Sequence, residues 1–275
     1  MPELPEVETT RRGVENSVTG QRLIGAVVRN GRLRWPVPSD LDALLKGQVV
    51  QRVWRRAKYL IFETQTGSLI VHLGMSGSLR VVSADFPVEK HDHVDLLIES
   101  GAALRALRFR DPRRFGAMLW QPAGAGTHPL LAHLGPEPLE DDFTGAYLHA
   151  ELKKRSTAIK LLLMDNRIVV GVGNIYANEA LFRAGIHPAM PGDKLRRAVC
   201  DRLVVIVKET LAEAIAAGGS TLRDFVDAAG KPGYFQQNYF VYDRSDQPCF
   251  KCGTPIRTTR QGQRSTFWCP HCQSR

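Results

Sequence analysis

The spacing of hydrophobic and polar positions changes character along the 275-residue chain. The opening string, MPELPEVETTRR, carries the signals of a helix start. Pro5 suits a first turn, and Glu3, Glu6 and Glu8 suit the positive end of a helix dipole. From Arg22 to about Leu119 the apolar positions fall into short β-branched runs, at 23–28, 49–54, 59–62, 69–73, 94–98 and 104–109. Turn signals at 64–67 and at Ser100-Gly101 separate some of them. Short strands at even spacing with no helices between them predict an antiparallel sandwich or barrel. A looser stretch follows, with Gly124, Gly126, Pro129, Gly135, Pro136 and Pro138, and a domain boundary is expected near residue 134. Beyond it the period lengthens to that of helices, with candidates at 148–154, 159–164, 176–184, 195–216 and 221–228. Gly218-Gly219-Ser220 separates the last two. The expected class is α+β.

Composition narrows the function classes. Hydrophobic residues make up 43% and charged residues 24%, which is ample for a packed core and excludes wholesale disorder. No apolar run approaches the roughly 20 residues that span a bilayer. The acidic N-terminus has the wrong charge for a secretory or transit peptide, so the chain reads as soluble and cytosolic, without a membrane partner. Its 37 Lys and Arg against 28 Asp and Glu give a net charge of +9, compatible with a polyanionic partner but not sufficient to name one.

Five cysteines add a metal. Cys249-x2-Cys252 and Cys269-x2-Cys272 are separated by 16 residues, the spacing of two knuckles around a four-thiolate Zn(II). Closed coordination leaves no place for substrate water, so one structural zinc per chain is expected. His271 lies inside the second knuckle and reads as solvated. Cys200, in the pattern Val199, Leu203, Val207, reads as helix core.

The N-terminus offers separate chemistry. Removal of Met1 before a residue as small as proline would leave the secondary amine of Pro2 as the terminus. An α-amino group has a pKa of about 7.7–8.0 and is lowered further at a helix start, so part of it is nucleophilic at neutral pH. It can attack an aldehyde-like carbon and form an iminium, while Glu3 shuttles protons. On these residues alone, Pro-Glu as plain helix initiation is the better reading.

Six strings taken together bear on this choice: MPELPEVETTRRG at the start, HLGMSGSLRV at 72–81, DPRRFGA at 111–117, GVGNIYANEALF at 171–182, GKPGYF at 230–235 and the final CxxC pair. Together they resemble the formamidopyrimidine-DNA glycosylase family, bacterial enzymes that excise oxidised purines, in the expected order from Pro2 to Cys272. The resemblance implies an N-terminal antiparallel β-sandwich domain with flanking helices at 1–133, a helix–two-turns–helix module at 134–245 and a zinc-ribbon β-hairpin at 246–275. It implies a bifunctional glycosylase and lyase in which Pro2 attacks C1′, Glu3 assists ring opening, Glu6 organises the site, Lys58 donates a proton during β-elimination and Arg264 serves δ-elimination. Met75, Arg113 and Phe115 match residues that fill the void left by an extruded nucleotide, with Arg113 facing the orphaned base and favouring cytosine. His72, His91, Arg155, Asn174 and Tyr176 fall at DNA-contacting positions. The implied partner is double-stranded DNA carrying an oxidised purine, bound by a monomeric, nucleoid-associated bacterial protein.

Other positions are less determined. Lys58 lies on a strand pattern whose alternation would expose it, and Lys160 reads as a solvated cation with a phosphate role open. The glycine-rich stretch from Gly218 to Phe235 suits a mobile lid over an extruded base, with Thr221 and Arg223 as its candidate contacts, or an ordinary flexible connection. Two other functions compete: an endonuclease VIII-type glycosylase for oxidised pyrimidines, and a non-catalytic zinc-finger DNA-binding protein.

Overall fold

The computed structural model describes residues 2–101, 103–219 and 239–274, which fall into two compact units. One runs through Ala132 and takes in Ala217–Gly219; the other comprises 133–216 and the chain from Tyr239 onward.

The first unit opens with α1 (Leu4–Val18), followed by β1 (Arg22–Val28), α2 (Leu41–Leu45), β2 (Arg52–Arg56), β3 (Tyr59–Glu63), β4 (Gly67–His72), β5 (Ser78–Ser83), β6 (Asp92–Ser100), β7 (Ala103–Arg110), β8 (Ala117–Pro122) and α3 (Pro129–Ala132). The strands form two antiparallel four-stranded sheets, ordered β1-β6-β7-β5 and β2-β3-β4-β8. Alternate residues of both sheets meet in one core: Val94, Leu96 and Ile98 of β6, Leu107 and Phe109 of β7, Leu60 and Phe62 of β3, Leu69 and Val71 of β4. Val7, Val14 and Val18 recur on one face of α1 and join the same core. The fold is thus the expected sandwich with flanking helices. Two details differ from the sequence pattern. A helix, α2, does intervene between strands, too short at five residues to show a period, with Leu41 and Leu45 fully buried. Strands β5 and β8 fall outside the runs singled out in the sequence.

On the opposite face of the β6–β7 pair, Asp95 and Arg108 are cross-strand partners. Both are buried, and the carboxylate takes two guanidinium hydrogen bonds at 2.9 Å, with Arg29 adding a third at 2.6 Å. These partners hold Asp95 below the usual carboxylate range despite the burial that opposes ionisation.

The second unit contains α4 (Gly145–Leu152), α5 (Ile159–Leu163), α6 (Asn174–Ala184), α7 (Arg197–Ala216), β9 (Arg257–Gln261) and β10 (Arg264–Trp268). Four of the five predicted helices are present within a few residues of their expected ends; the fifth, 221–228, lies outside the described residues. Gly185, at φ +68°, closes α6 in the left-handed conformation that glycine adopts without strain. No helix among the described residues is long and apolar enough to cross a membrane. Cys200 sits on α7, fully buried, as its apolar pattern predicts.

Candidate functional site

The N-terminal group is built by a helix cap. Glu3 is the N-cap of α1 and forms a capping box with Glu6, whose Oε2 accepts the Glu3 N–H at 2.8 Å. Both carboxylates are buried, at 2% and 0% exposure, and Pro2 immediately ahead is buried too. The peptide that joins Pro2 to Glu3 is therefore held at its donor end by a side chain one turn along the helix. Gly219 closes over the same place. Its φ is +81°, and a Cβ there would lie 3.3 Å from Glu6 Cα and 3.4 Å from Glu6 Oε1.

Lys58 corrects the sequence expectation. It is not on a strand but in the two-residue turn between β2 and β3, after Ala57 at φ +52°, and it is half-buried rather than exposed. Alanine at positive φ carries no turn signature, so the local sequence hides this hairpin. Arg55 Nη1 steadies the turn by donating to Ala57 O at 2.8 Å.

Across the sheet, Tyr59 pairs with His72 at the end of β4, their rings 4.9 Å apart. His72 Nδ1 accepts the Gly74 N–H at 3.0 Å, which leaves the proton on Nε2. Burial, with the nearby charges of Lys58 and Arg34, lowers its pKa to about 4. His72 is therefore a neutral donor. Arg34, in the connection between β1 and α2, was not singled out from sequence, because only the tertiary fold brings it near His72.

Met75 lies in the Gly74–Gly77 turn and is half-buried; Arg113 and Phe115 lie in the 111–116 loop and are exposed. The Arg113 guanidinium sits 5.0 Å from the Phe115 ring centroid. His91 is half-buried beside this loop, and its carbonyl accepts the Asp111 N–H at 3.0 Å.

In the second unit, Asn174 begins α6 after the Gly171-Val172-Gly173 turn, and Tyr176 in its first turn is 2% exposed. Among the described residues, buried Asn174 Oδ1 has no hydrogen-bond partner. Arg155 is half-exposed and engaged with Glu151, donating to its carbonyl at 2.9 Å. Arg264 is exposed at the start of β10, just past the Gly262-Gln263 turn. Both turn residues have positive φ, at +51° and +60°, the type I′ geometry that suits a tight hairpin.

Lys160 is a second correction. It is fully buried, and its Nζ donates to Ser265 O at 2.9 Å and Thr266 Oγ1 at 2.7 Å. Rather than a solvated cation, it ties α5 to β10. Its partners lie a hundred residues downstream, beyond the reach of local pattern. Thr221 and Arg223 lie outside the described residues.

Cys249, Cys252, Cys269 and Cys272 bring their four sulfurs within 4.8 Å of one another. The separations are 3.9 Å for Cys249–Cys272 and 3.4 Å for Cys252–Cys269. Both exceed a disulfide bond and approach the roughly 3.8 Å edge of a tetrahedron with Zn–S bonds of about 2.3 Å. The N–H groups of Lys251 and Cys272 point at Cys249 Sγ and Cys269 Sγ, each at 3.4 Å, supporting thiolate charge. The set fits one structural Zn(II), and His271 is exposed outside it.

The matches to known proteins follow the same division. The formamidopyrimidine-DNA glycosylase N-terminal domain matches residues 1–118, the H2TH domain of the same enzymes matches 134–226, and a zinc finger found in FPG and IleRS matches 246–275. A formamidopyrimidine-DNA glycosylase of Thioalkalivibrio sulfidiphilus is 58% identical over 99% of this chain and 100% of its own. The chain belongs to the formamidopyrimidine-DNA glycosylase family. An Escherichia coli member is 55% identical over the same shares. Among solved structures, Lactococcus lactis Fpg in complex with abasic-site DNA is similar with a TM-score of 0.90 at 34% identity, over 99% of this chain and 100% of that one. Thermus thermophilus MutM (Fpg) has a TM-score of 0.86 at 39% identity, over 99% and 98%.

Proposed function

We propose that this chain excises oxidised purines from double-stranded DNA and then cuts the strand through a covalent intermediate on Pro2. The observation that carries the reading is the capped N-terminus: Pro2 next to two buried carboxylates, one of which holds the Glu3 amide. Full-length family members at 55–58% identity, and Fpg structures bearing damaged DNA, support it.

Once Pro2 is the N-terminal residue, its nitrogen attacks C1′, the N-glycosidic bond breaks and the purine departs; Glu3 then protonates O4′ as the C1′–O4′ bond opens, which leaves Pro2 joined to C1′ as an iminium. The resulting iminium draws electrons from C2′, so the C2′ proton becomes removable and the 3′-phosphate leaves first. Elimination of the 5′-phosphate follows, leaving a one-nucleotide gap flanked by phosphates. Glu6 orients the attacking end, Lys58 supplies a proton near the sugar, and Arg264 assists the second elimination. Met75, Arg113 and Phe115 fill the vacated stack, with Arg113 donating to the acceptor edge of an orphaned cytosine. His72, His91, Arg155, Asn174 and Tyr176 meet the backbone, His72 through its neutral Nε2–H. Zn(II), held by the four cysteines, shapes the hairpin that carries Arg264 and supplies no reaction step. Thr221 and Arg223 contact the extruded base. The 1–133, 134–245 and 246–275 segments serve as catalytic, backbone-binding and finger regions of a monomer acting in the bacterial cytoplasm on the nucleoid.

The test is borohydride trapping on an 8-oxoguanine:cytosine duplex, with peptide mapping of the crosslink and a thymine glycol duplex in parallel. A crosslink at Pro2, with 8-oxoguanine preferred, is expected. Attachment at any other residue overturns the mechanism, and preference for thymine glycol overturns the substrate.

A further inference from the structure

Asp111 has no assigned role, yet the residues expected to enter the DNA stack converge on it. Its side chain is fully buried. Oδ1 accepts the Ser76 hydroxyl at 2.7 Å and the Arg113 N–H at 3.3 Å, and Oδ2 accepts the Gly116 N–H at 2.8 Å. Ser76 is buried too, and its Oγ in turn accepts the Arg113 N–H at 3.2 Å. One carboxylate thus joins the turn that carries Met75 to the loop that carries Arg113 and Phe115. The main chain of the same residue reaches a third segment: its N–H donates to His91 O, and its carbonyl lies 2.8 Å from His93 Nε2.

The two loops also meet backbone to backbone. Gly74 has φ +67°, and a Cβ there would overlap the main chain of Phe115 and Gly116. A Cβ on Gly116 would come within 2.7 Å of His72 O and 2.6 Å of the Phe109 ring. This close backbone packing and the hydrogen bonds of Asp111 and Ser76 together hold the two loops against each other. Arg114 at φ +56° is a non-glycine residue in the left-handed region, so the loop between Arg113 and Phe115 is held in a conformation it would not choose alone.

We propose that Asp111, acting through Ser76, is the positioning residue that sets Met75, Arg113 and Phe115 in fixed mutual register before DNA arrives. The inference rests on the proposed function and adds to it a residue that touches neither DNA nor the reacting sugar. A wedge assembled from two independent loops would have to be ordered at each encounter; the buried carboxylate removes that requirement. The step it serves is extrusion of the damaged nucleotide, not attack on C1′. Its loss therefore acts on intact duplex far more than on a strand whose abasic sugar needs no extrusion.

The experiment compares Asp111→Asn and Ser76→Ala with the unaltered full-length protein in two single-turnover reactions. One is excision of 8-oxoguanine from duplex opposite cytosine; the other is cleavage of a preformed abasic site in single-stranded DNA. Thermal unfolding verifies that each variant is folded, and 2-aminopurine next to the lesion reports extrusion. Asp111→Asn is expected to slow excision about 10- to 100-fold, the scale of a misplaced positioning group, with a matching loss of the 2-aminopurine rise. Ser76→Ala, which removes a single hydroxyl, is expected to slow it up to about tenfold and covers the case in which Asp111→Asn does not fold. Single-strand cleavage is expected to change by less than about threefold, within the spread of sites that do not couple. Excision at the unaltered rate in folded variants overturns the proposal, as does a parallel fall of both reactions. Failure of the unaltered protein to excise 8-oxoguanine overturns the proposed function itself, and this inference with it.

Discussion

The Glu3 amide and the Glu6 carboxylate are joined by a 2.8 Å hydrogen bond that is closed off from solvent. A capping box normally serves only to begin a helix. Here the capped residue directly follows Pro2, so the same bond that starts α1 orients the end of the chain.

Glu6→Ala is therefore expected to affect two quantities at once. Loss of the cap bond costs about 1 kcal/mol of stability, measurable by urea unfolding. Borohydride trapping yield at Pro2 is expected to fall by more than that stability loss explains, because the folded fraction stays near unity. Trapping that keeps pace with the folded fraction would show that Glu6 is only a helix cap.

His72 gives a pH signature. Its folded pKa is about 4 against an ordinary 6.5, so the unfolded chain binds a proton that the folded chain refuses between those values. Stability from this source is fully present above pH 6.5 and is lost as pH falls toward 4, by up to about 3 kcal/mol. His72→Asn is expected to flatten the pH dependence of the urea midpoint in that window. In the unaltered protein, the His72 ring protons should show no NMR titration between pH 5.5 and 8, since about 97% or more stays neutral there if the group titrates near 4.

Lys160→Met keeps the length of the side chain and removes its charge and its donors. Ser265 O and Thr266 Oγ1 lose that partner, at a cost of about 1–3 kcal/mol. Faster amide exchange across β9 and β10 is the expected readout, with α1 and both sheets of the first unit unchanged. A phosphate-contact role alone would instead leave exchange untouched and weaken DNA affinity.

Cys252→Ala, or chelation of the unaltered protein, is expected to abolish zinc stoichiometry and duplex binding together, because apo zinc modules of this kind do not hold their fold. Metal analysis alongside a DNA-binding titration checks it. Duplex binding at full strength without metal would remove the finger from the interface.

How much of this was readable depended on range. The sheets were legible because alternation is local: Val94, Leu96 and Ile98 announce an inward face within five residues. The zinc ligands were legible because both knuckles are short and the chemistry allows few alternatives. Lys58 was misread because Ala57 makes a turn in a conformation alanine seldom adopts. Lys160 was misread because the acceptors that justify burying an ammonium arrive only with β10. Asp111 carries no signal of its own in the sequence, because its partner Ser76 arrives only with the fold.

Burial of Lys160 belongs to a broader pattern at the chain's far end. Phe182 of α6 shares a core with Val241, Ile256 and Phe267, and Glu179 receives the N–H groups of Phe240, Val241 and Tyr242. Asn178 Oδ1 takes the Phe267 N–H, and Gln273 donates to Ile186 O. The metal hairpin is consequently no detachable bead: grafted onto another protein it would arrive without the Phe182 ring that packs in its core and without the Asn178 and Ile186 groups that bond to it. Whatever evolves in one must be answered in the other.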